Sequence, residues 1–294
     1  MLRLLWYPTF RCNNYGPGGE ANPHCRYCDL NYDIVSQRVT LAGEAGASGI
    51  ICDPAKVVDF LKRNAEVIGR EFDMAGGEPL MHRELHRVVG ELSQAGFRWS
   101  ITSNTLIAPA VERLCEWLQS CNSWTVSIHA YGGVKWERLA ANVRRLRAAG
   151  GIRRLSGTIV ISEETLPILQ NMEAGGKSLP LDGLQYHIDQ NSERPEFLIS
   201  EARRLLSPGS RVVVSGYQPQ GVMCHRRGVF LVLNPDGVLY ECSTKAYRGI
   251  DPIGAIENID LRNLSGEAGW CDLKCSSACN HPKHVVPAPA AFSL

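Results

Sequence analysis

The chain has 294 residues, of which 44% are hydrophobic and 21% are charged, a composition typical of a globular protein with room for one large domain and a small appendage. Its net charge of +1 gives no electrostatic support for nucleic acid or an anionic membrane surface as the main partner. No apolar run approaches the roughly 20 residues that span a bilayer, and the N-terminus lacks the pattern of a signal peptide. We therefore expect a cytoplasmic protein.

Strand-like and helix-like segments alternate over residues 1–206. Apolar runs predict strands at 2–9, 71–75, 98–103, 124–129, 154–161 and 184–189. Segments with helical periodicity predict helices at 53–70, 83–95, 109–119, 134–149, 163–172 and 195–206. Such units form parallel sheets with right-handed crossovers, and six are too few for a closed eight-stranded barrel. The pattern predicts an α/β fold built as a partial (β/α)6 TIM barrel.

A second, smaller unit is predicted after the barrel. Residues 207–221 are rich in turn formers and indicate a linker. Beyond them, apolar runs at 229–233 and 238–240 flank the sequence Asn-Pro-Asp-Gly, which is a strong hairpin signal. We expect residues 222–286 to form a small cysteine-rich C-terminal domain and residues 287–294 to form an irregular tail.

Cysteines are numerous and clustered in this chain. There are eleven, and in a reducing cytosol such a count indicates metal binding or catalysis rather than disulfides. Eight of them fall into two groups, Cys12, Cys25 and Cys28 near the start and Cys224, Cys242, Cys271, Cys275 and Cys279 near the end. Thiolates hold both iron–sulfur clusters and structural zinc. The first group alone leaves open an iron–sulfur cluster or a zinc site that includes His24.

The first cysteine group, together with a turn that ends the second predicted strand, resembles the motifs of the radical S-adenosylmethionine (radical SAM) enzymes. The group reads Cys12, then Cys25-Arg-Tyr27-Cys28, and the turn reads Gly-Gly-Glu-Pro. The resemblance implies that the three cysteines hold a [4Fe-4S] cluster whose fourth iron is open to S-adenosyl-L-methionine, with Tyr27 as the aromatic residue before the last cysteine. Twelve residues separate Cys12 from Cys25 where the family usually has three, and this insert is rich in turn formers that can return the chain.

The turn and the ends of later strands carry the residues that the resemblance assigns to S-adenosylmethionine. Glycines let the backbone approach a ligand closely, and Glu78 can pair with the ammonium group of the methionine. Polar residues at the ends of the third and fourth strands would contact the carboxylate and the ribose, although each also suits an ordinary hydrogen-bonded role. The cofactor-binding residues predicted in this way are Gly76, Gly77, Glu78, Pro79, Ser103, Asn104, Ser127 and His129.

The C-terminal cysteines resemble the Twitch and SPASM extensions of radical SAM enzymes, which bind auxiliary four-iron clusters. Twelve residues separate Cys224 from Gly237 and four separate Gly237 from Cys242, a spacing close to the hairpin half of these extensions. Five cysteines suffice for one auxiliary [4Fe-4S] cluster and leave one spare. Either both hairpin cysteines act with two of the last three, or the last three act with one hairpin cysteine. A four-cysteine zinc site is the alternative. The metal ligands predicted here are Cys224, Cys271, Cys275 and Cys279.

Cys242 is the candidate catalytic residue, and the resemblance implies the chemistry that it would serve. Radical SAM enzymes split S-adenosylmethionine to a 5′-deoxyadenosyl radical, which takes a hydrogen atom from the substrate. We favour epimerisation, because a spare thiol such as Cys242 can return a hydrogen atom to the opposite face; an inert buried thiol is the alternative. Dehydrogenation of an alcohol, with the auxiliary cluster as electron acceptor, is the alternative reaction. A zinc-stabilised binding protein without catalysis is the alternative of another class.

Acidic residues in the loops after the first, fifth and sixth predicted strands suggest the kind of substrate. Converging carboxylates suit a cationic, polyhydroxylated small molecule such as an amino sugar or aminocyclitol, unless they are merely solvated or favour helix N-termini. The chain also resembles, in size and auxiliary cysteines, the radical SAM enzymes that modify aminoglycosides, among them epimerases and dehydrogenases. A reductant such as flavodoxin or ferredoxin is the expected protein partner. The acidic residues are Glu20, Asp29, Asp33, Glu163, Glu164, Asp189 and Glu193.

Overall fold

The computed structural model describes residues 2–13, 52–130, 133–189, 192–213, 222–224, 230–264, 269–271 and 285–286. The strands in these ranges are β1 (Arg3–Trp6), β2 (Glu71–Met74), β3 (Arg98–Ser103), β4 (Cys121–Ile128), β5 (Leu155–Ile161), β6 (Gly183–Ile188), β7 (Arg211–Val213), β8 (Val222–Cys224), β9 (Phe230–Leu233), β10 (Val238–Tyr240), β11 (Gly254–Ala255), β12 (Gly269–Cys271) and β13 (Val285–Val286). The α-helices are α1 (Pro54–Arg63), α2 (Ala65–Ile68), α3 (Leu85–Gln94), α4 (Ala108–Leu114), α5 (Gly133–Ala149), α6 (Leu169–Lys177), α7 (Pro195–Leu205) and α8 (Ser243–Arg248). None of the helices in the described residues is long and apolar enough to cross a membrane.

The larger of two sheets is mostly parallel. Its strand order is β11-β10-β9-β1-β2-β3-β4-β5-β6-β7. Strands β9 and β1 to β7 run parallel to one another, and at one edge β10 pairs antiparallel with both β9 and β11. The predicted hairpin, β9 and β10, therefore continues the barrel sheet through β1. In contrast, β8, β12 and β13 form a small antiparallel sheet of their own. The division into domains at 207–221 stays a prediction.

The two faces of the larger sheet differ in polarity, because successive side chains of a strand point to opposite faces. One face is apolar and shares a single buried core with the helices, to which Phe72, Trp99 and Trp124 belong. The other face of β3 to β6 carries hydroxyl, amide and imidazole groups, and we call it the polar face. Its residues are Ser100, Thr102, Ser123, Thr125, Ser127, Ser156, Thr158, Gln185 and His187. A closed barrel fills its interior with branched apolar side chains, whereas the polar face can bind a polar ligand.

The helix predicted at 53–70 is two helices, which Asn64 separates. Its side-chain Nδ2 donates to the carbonyl oxygen of Phe60 at 2.9 Å, and its Oδ1 accepts a hydrogen bond from the main-chain N–H of Leu261 at 2.9 Å. Asn64 is almost completely buried. The helix is interrupted because this buried amide side chain binds a segment nearly two hundred residues away. Local periodicity carries no information about such a distant partner.

The helix predicted at 163–172 begins later and ends later than expected. Ser162 and Thr165 form a turn at the end of β5, in which the main-chain N–H of Ser162 donates to the Thr165 hydroxyl at 2.8 Å. A short 3-10 helix follows at Leu166–Ile168, and only then does α6 begin. Serine and threonine side chains compete for backbone groups in this way, which delays the start of the helix.

The predicted linker at 207–221 contains a strand, β7, which is a correction to the sequence analysis. β7 pairs in parallel with β6. The turn before β7 is held by the buried carboxylate of Glu173 on α6, which accepts hydrogen bonds from the main chain and hydroxyl of Ser207 and from the hydroxyl of Ser210, at 2.8–3.2 Å. Tyr186 of β6 donates to the same carboxylate at 3.1 Å. These contacts are long-range, so the strand was not evident from turn composition.

Replacing Glu173 with glutamine is expected to lower the free energy of unfolding by about 2 kcal/mol at pH 7, since an amide NH2 would then face several donors. Burial raises the pKa of Glu173, but hydrogen bonds from Lys177, Ser210 and Ser207 outweigh it and lower the pKa to about 2. Because this value is below the ordinary 4.5, the stabilisation is present above pH 4.5 and is lost as the pH falls towards 2. Urea titrations at pH 7 and pH 3 measure both effects.

The matched control is Glu201→Gln, which removes a carboxylate that pairs with Arg204 on the surface of α7. We expect this change to alter the free energy of unfolding by less than about 0.5 kcal/mol. Equal losses in the two variants would contradict the role given to Glu173.

Candidate functional site

The carboxyl ends of β1 and β2 are joined by main-chain hydrogen bonds that extend beyond the strands. The N–H of Ala75 donates to the carbonyl of Trp6 at 3.1 Å, that of Gly77 to Thr9 at 3.0 Å, and that of Glu78 to Arg11 at 2.7 Å. The residue after Arg11 is Cys12, which is half-buried and forms no disulfide. The Gly-Gly-Glu-Pro turn therefore lies directly against the segment that carries the first predicted cluster ligand.

Close backbone approach explains both glycines of this turn. Gly76 has a φ of +109°, a conformation that L-residues rarely adopt. A Cβ atom on Gly77 would stand 2.6 Å from both the carbonyl carbon and the oxygen of Phe10, and nearer still to the carbonyl oxygen of Arg11. Only glycine leaves room for the two main chains to pair here. Pro79 begins the short 3-10 helix Pro79–Met81 that follows the turn.

Glu78 is buried, with 1% of its surface exposed, and its carboxylate is satisfied by the protein. Oε1 accepts hydrogen bonds from the Ser103 hydroxyl at 2.7 Å and from the N–H of Leu80 at 3.0 Å, and Oε2 accepts one from the N–H of Asn104 at 2.7 Å. Burial raises the pKa of Glu78 to about 7, although the three donors act in the opposite direction. The contact predicted between Glu78 and a ligand ammonium thus has three intramolecular donors as competitors.

The end of β3 is tied to the end of β1 through Asn104. Its Nδ2 donates to the side-chain oxygen of Asn13 at 2.5 Å, and its Oδ1 accepts from the N–H of Leu106 at 3.1 Å. The Ser103 hydroxyl, which donates to Glu78, also accepts from the N–H of Thr105 at 2.8 Å. The predicted residues Ser103 and Asn104 are therefore buried within a polar network that joins the ends of three strands.

Thr105 supports this network from the helix side. It has a φ of +58°, unusual for a β-branched residue, and is fully buried. Its hydroxyl accepts from the indole N–H of Trp124 at 3.0 Å, and its carbonyl accepts from Nδ2 of Asn142 at 2.8 Å. Because side chains from β4 and α5 hold Thr105, the loop between β3 and α4 has a defined shape.

Ser127 and His129 lie at the end of β4, on the side that continues the polar face. Ser127 is the register partner of Thr158. His129 is half-buried and borders a cavity of about 420 Å³ that Trp136 and Met172 also line. Loss of water around the imidazole, together with Lys135, lowers the pKa of His129 to about 4, so the ring is neutral at pH 7. Both residues can donate or accept hydrogen bonds with a neutral polar ligand.

The acidic residues expected at the barrel mouth are only partly available to a substrate. Glu163 is paired with Arg194 at 2.9 Å, and the guanidinium of Arg194 lies 4.9 Å from the ring centroid of Phe197. Glu164 and Glu193 are exposed. The pairing of Glu163 weakens its case as a site for a cationic group. The acidic residues predicted at Glu20, Asp29 and Asp33 lie outside the described residues.

The predicted cysteine ligands are described only in part. Cys25, Tyr27, Cys28, Cys275 and Cys279 lie outside the described residues. The register of the small sheet places Cys224 opposite Gly269 and Cys271 opposite Val222, so the two cysteine positions are diagonal neighbours about 7–8 Å apart. Among the residues that the structure describes, no group of three or more histidine, cysteine or acidic side chains could hold a metal ion.

Cys242 is buried and precedes α8, where its Sγ accepts a hydrogen bond from the N–H of Lys245 at 3.4 Å. Helix α8 packs against the segment that leads to Cys12. Tyr247 stacks on Tyr7 with ring centroids 5.0 Å apart, and the Tyr7 hydroxyl donates to the Ser243 hydroxyl at 2.9 Å. The helix that begins after Cys242 is thus in contact with the first strand end, next to the Gly-Gly-Glu-Pro turn.

Several residues of the site were absent from the sequence prediction. Asn13 had a signal, since it follows Cys12 directly. Asn142 also had one, because it is a polar residue in the buried stripe of α5 that includes Leu139 and Leu146. Thr105 had none, because its role depends on a backbone conformation that the residue type does not favour.

Comparisons with known proteins identify the fold. No family model and no curated protein matches the chain. Streptococcus suis SuiB bound to S-adenosylmethionine matches with a TM-score of 0.56 and 12% identity over 89% of this chain and 64% of SuiB; SuiB bound to its precursor peptide SuiA matches with a TM-score of 0.56 and 13% identity, over the same shares of both chains. The structure of anSMEcpe with bound AdoMet matches with a TM-score of 0.53 and 15% identity over 90% of this chain and 81% of that one.

These matches show a common fold at low identity. They confirm the predicted fold class, an α/β fold of the partial TIM-barrel type. The chain spans less than two thirds of the length of SuiB. Both SuiB and anSMEcpe were solved with S-adenosylmethionine bound, which is the cofactor that the sequence motifs imply for this chain.

Proposed function

We propose that this protein is a radical SAM enzyme that generates a 5′-deoxyadenosyl radical and uses it on a small polar substrate. One observation carries the proposal: the Gly-Gly-Glu-Pro turn is hydrogen-bonded to the segment that ends at Cys12. The two motifs are about sixty residues apart in the chain, yet they meet at the carboxyl edge of a parallel sheet, where such folds place their active sites.

The residues present fit an iron–sulfur cluster and S-adenosylmethionine. The half-buried thiol of Cys12 follows the segment that pairs with the two glycines of the turn, and Cys25 and Cys28 would complete the ligand set. The cluster and S-adenosylmethionine supply radical chemistry when bound. The protein's own part is to orient both groups and to exclude water, for which the buried network around Glu78 and Asn104 provides a rigid support.

The polar face supports a neutral or cationic polyhydroxylated substrate such as an amino sugar or aminocyclitol. Thr125, Thr158 and Gln185 offer uncharged donors and acceptors, and the neutral imidazole of His129 can accept or donate a hydrogen bond. We favour epimerisation with Cys242 as hydrogen donor. The second candidate is dehydrogenation, with Cys242 as a ligand of an auxiliary cluster that Cys224 also holds. Its support is that α8, the helix that follows Cys242, packs directly on the segment that leads to Cys12.

Anaerobic reconstitution tests the proposal. We expect about eight iron and eight sulfide atoms per chain if both predicted clusters form, and 5′-deoxyadenosine after reduction with flavodoxin in the presence of S-adenosylmethionine. The Cys12→Ala variant should lose nucleoside formation and about four iron atoms. Zinc without sulfide, and no nucleoside, would establish the alternative of a zinc-stabilised binding protein. Deuterium from heavy water in the product would separate epimerisation from dehydrogenation.

A further inference from the structure

Both polar atoms of the Asn104 side chain form hydrogen bonds within the protein. It is buried, with 4% of its surface exposed, and it bridges Leu106 within its own loop and Asn13 on the segment after β1. Side-chain amides of this kind were expected to contact the carboxylate or ribose of S-adenosylmethionine. The geometry offers another role, because the partner residue Asn13 is the one that follows Cys12.

The support behind Asn104 is stiff. Its main-chain N–H is held by the Glu78 carboxylate at 2.7 Å, and the next residue, Thr105, is held by Trp124 and Asn142. The Asn13 end of the bond has less support, since Asn13 is half-buried whereas Asn104 is buried. A hydrogen bond between a stiff element and a less supported one positions the latter.

We propose that Asn104 is a positioning residue for Cys12: by holding Asn13 it sets where the Cys12 thiol stands beside the Gly-Gly-Glu-Pro turn. The inference deepens the proposed function and rests on it, because the proposed function is what gives the position of the Cys12 thiol a purpose. Both partners of the hydrogen bond are side chains of this chain, so its effect on Cys12 is measurable in metal-free protein. The tie acts together with the main-chain bonds from Gly77 and Glu78, which hold Thr9 and Arg11.

The Asn13–Asn104 pair permits a test in which each aspartate substitution keeps the hydrogen bond when it is made alone and breaks it when both are made together. Asn13→Asp keeps an acceptor for the Asn104 amide, and Asn104→Asp keeps an acceptor for an Asn13 amide that has rotated, so each single variant retains a donor–acceptor pair. The double variant places two carboxylates together and removes the donor. Asn13→Ala and Asn104→Ala remove the bond outright. Asn122→Ala is the matched control, because it removes an asparagine hydrogen bond to Glu71 elsewhere on the sheet.

The first readout is the alkylation rate of Cys12 by iodoacetamide in reduced, metal-free protein, followed by peptide mass spectrometry. We expect about a tenfold faster reaction in the two alanine variants and in the double aspartate variant. The single aspartate variants and Asn122→Ala should react like the wild type. Half-buried Cys115 is the internal reference, because general unfolding would accelerate its alkylation as well. Wild-type Cys12 rates in every variant would overturn the inference.

The second readout is the electron paramagnetic resonance spectrum of the reduced, reconstituted protein with increasing S-adenosylmethionine. The wild type should show a change on addition of the cofactor, and the variants that lose the bond should require about tenfold more of it. If the spectrum of the wild type does not change when the cofactor is added, the proposed function is contradicted. The alkylation result alone then decides whether Asn104 positions Cys12. A normal titration in the alanine variants, with a normal wild type, overturns the inference.

Discussion

Replacing Glu78 with alanine is expected to lower the free energy of unfolding by about 3–5 kcal/mol, a large part of the stability of an ordinary domain. The change would leave three buried donors without an acceptor: the Ser103 hydroxyl and the N–H groups of Leu80 and Asn104. It would also leave a cavity between the ends of β2 and β3. Equilibrium unfolding in urea at pH 8, followed by tryptophan fluorescence, measures the loss.

Glu84→Ala is the control, because the carboxylate of Glu84 is about half exposed and lies 3.7 Å from Arg87. We expect it to change the free energy of unfolding by less than about 0.5 kcal/mol. If Glu78→Ala were as mild as the control, the carboxylate would not be the organiser of the three strand ends.

The same carboxylate gives the wild type a characteristic pH dependence. Burial raises the pKa of Glu78 from 4.5 to about 7, so between these values the folded state keeps a proton that the unfolded state releases. The contribution of Glu78 to the free energy of unfolding should therefore be greatest below pH 4.5 and should fall by about 3 kcal/mol as the pH rises through 7. Glu78→Gln removes the titration, and the difference between the two pH profiles isolates it. Parallel profiles would contradict the raised pKa.

Replacing Gly77 with alanine is expected to lower the free energy of unfolding by about 3 kcal/mol and to prevent retention of the first cluster. The new methyl group would meet the main-chain atoms of Phe10 at 2.6 Å and the carbonyl of Arg11 at a shorter distance, and backbone cannot move aside as a flexible side chain can. The hydrogen bond from Glu78 to Arg11 would break, and Cys12 would move with it. Urea unfolding and iron content after reconstitution are the measurements.

Gly183→Ala at the start of β6 is the matched control, because a Cβ there has no heavy atom within 4 Å. It should leave both stability and iron content close to those of the wild type. If the two alanine variants behaved alike, the close approach of the two main chains would not explain why the turn requires glycine at position 77.

The regular part of the fold was predictable because its signals are local. β3 occupies 98–103 as expected, and the runs at 124–129 and 184–189 each coincide with a strand to within a few residues. Alternating apolar and polar residues report the two faces of a sheet wherever only one face is buried. The hairpin at Asn-Pro-Asp-Gly was predictable for the same reason, since turn chemistry depends on adjacent residues.

The errors share a cause, which is dependence on distant residues. The helix at 53–70 breaks because Asn64 serves Leu261, and β7 forms within the predicted linker because Glu173 and β6 hold that segment. The attachment of β9 to β1 likewise joins residues more than two hundred positions apart. No window of local sequence contains these partners.

For the candidate site, the sequence by itself determined which residue types are present: the cysteine groups, the Gly-Gly-Glu-Pro turn and the polar strand ends. Only the tertiary structure decided how they are used. It pairs Gly77 and Glu78 with the segment before Cys12, and it places Glu78, Ser103 and Asn104 inside a buried network. The physical reason is that a polar group removed from water must find a partner. Which partner it finds depends on which strand ends the sheet brings together.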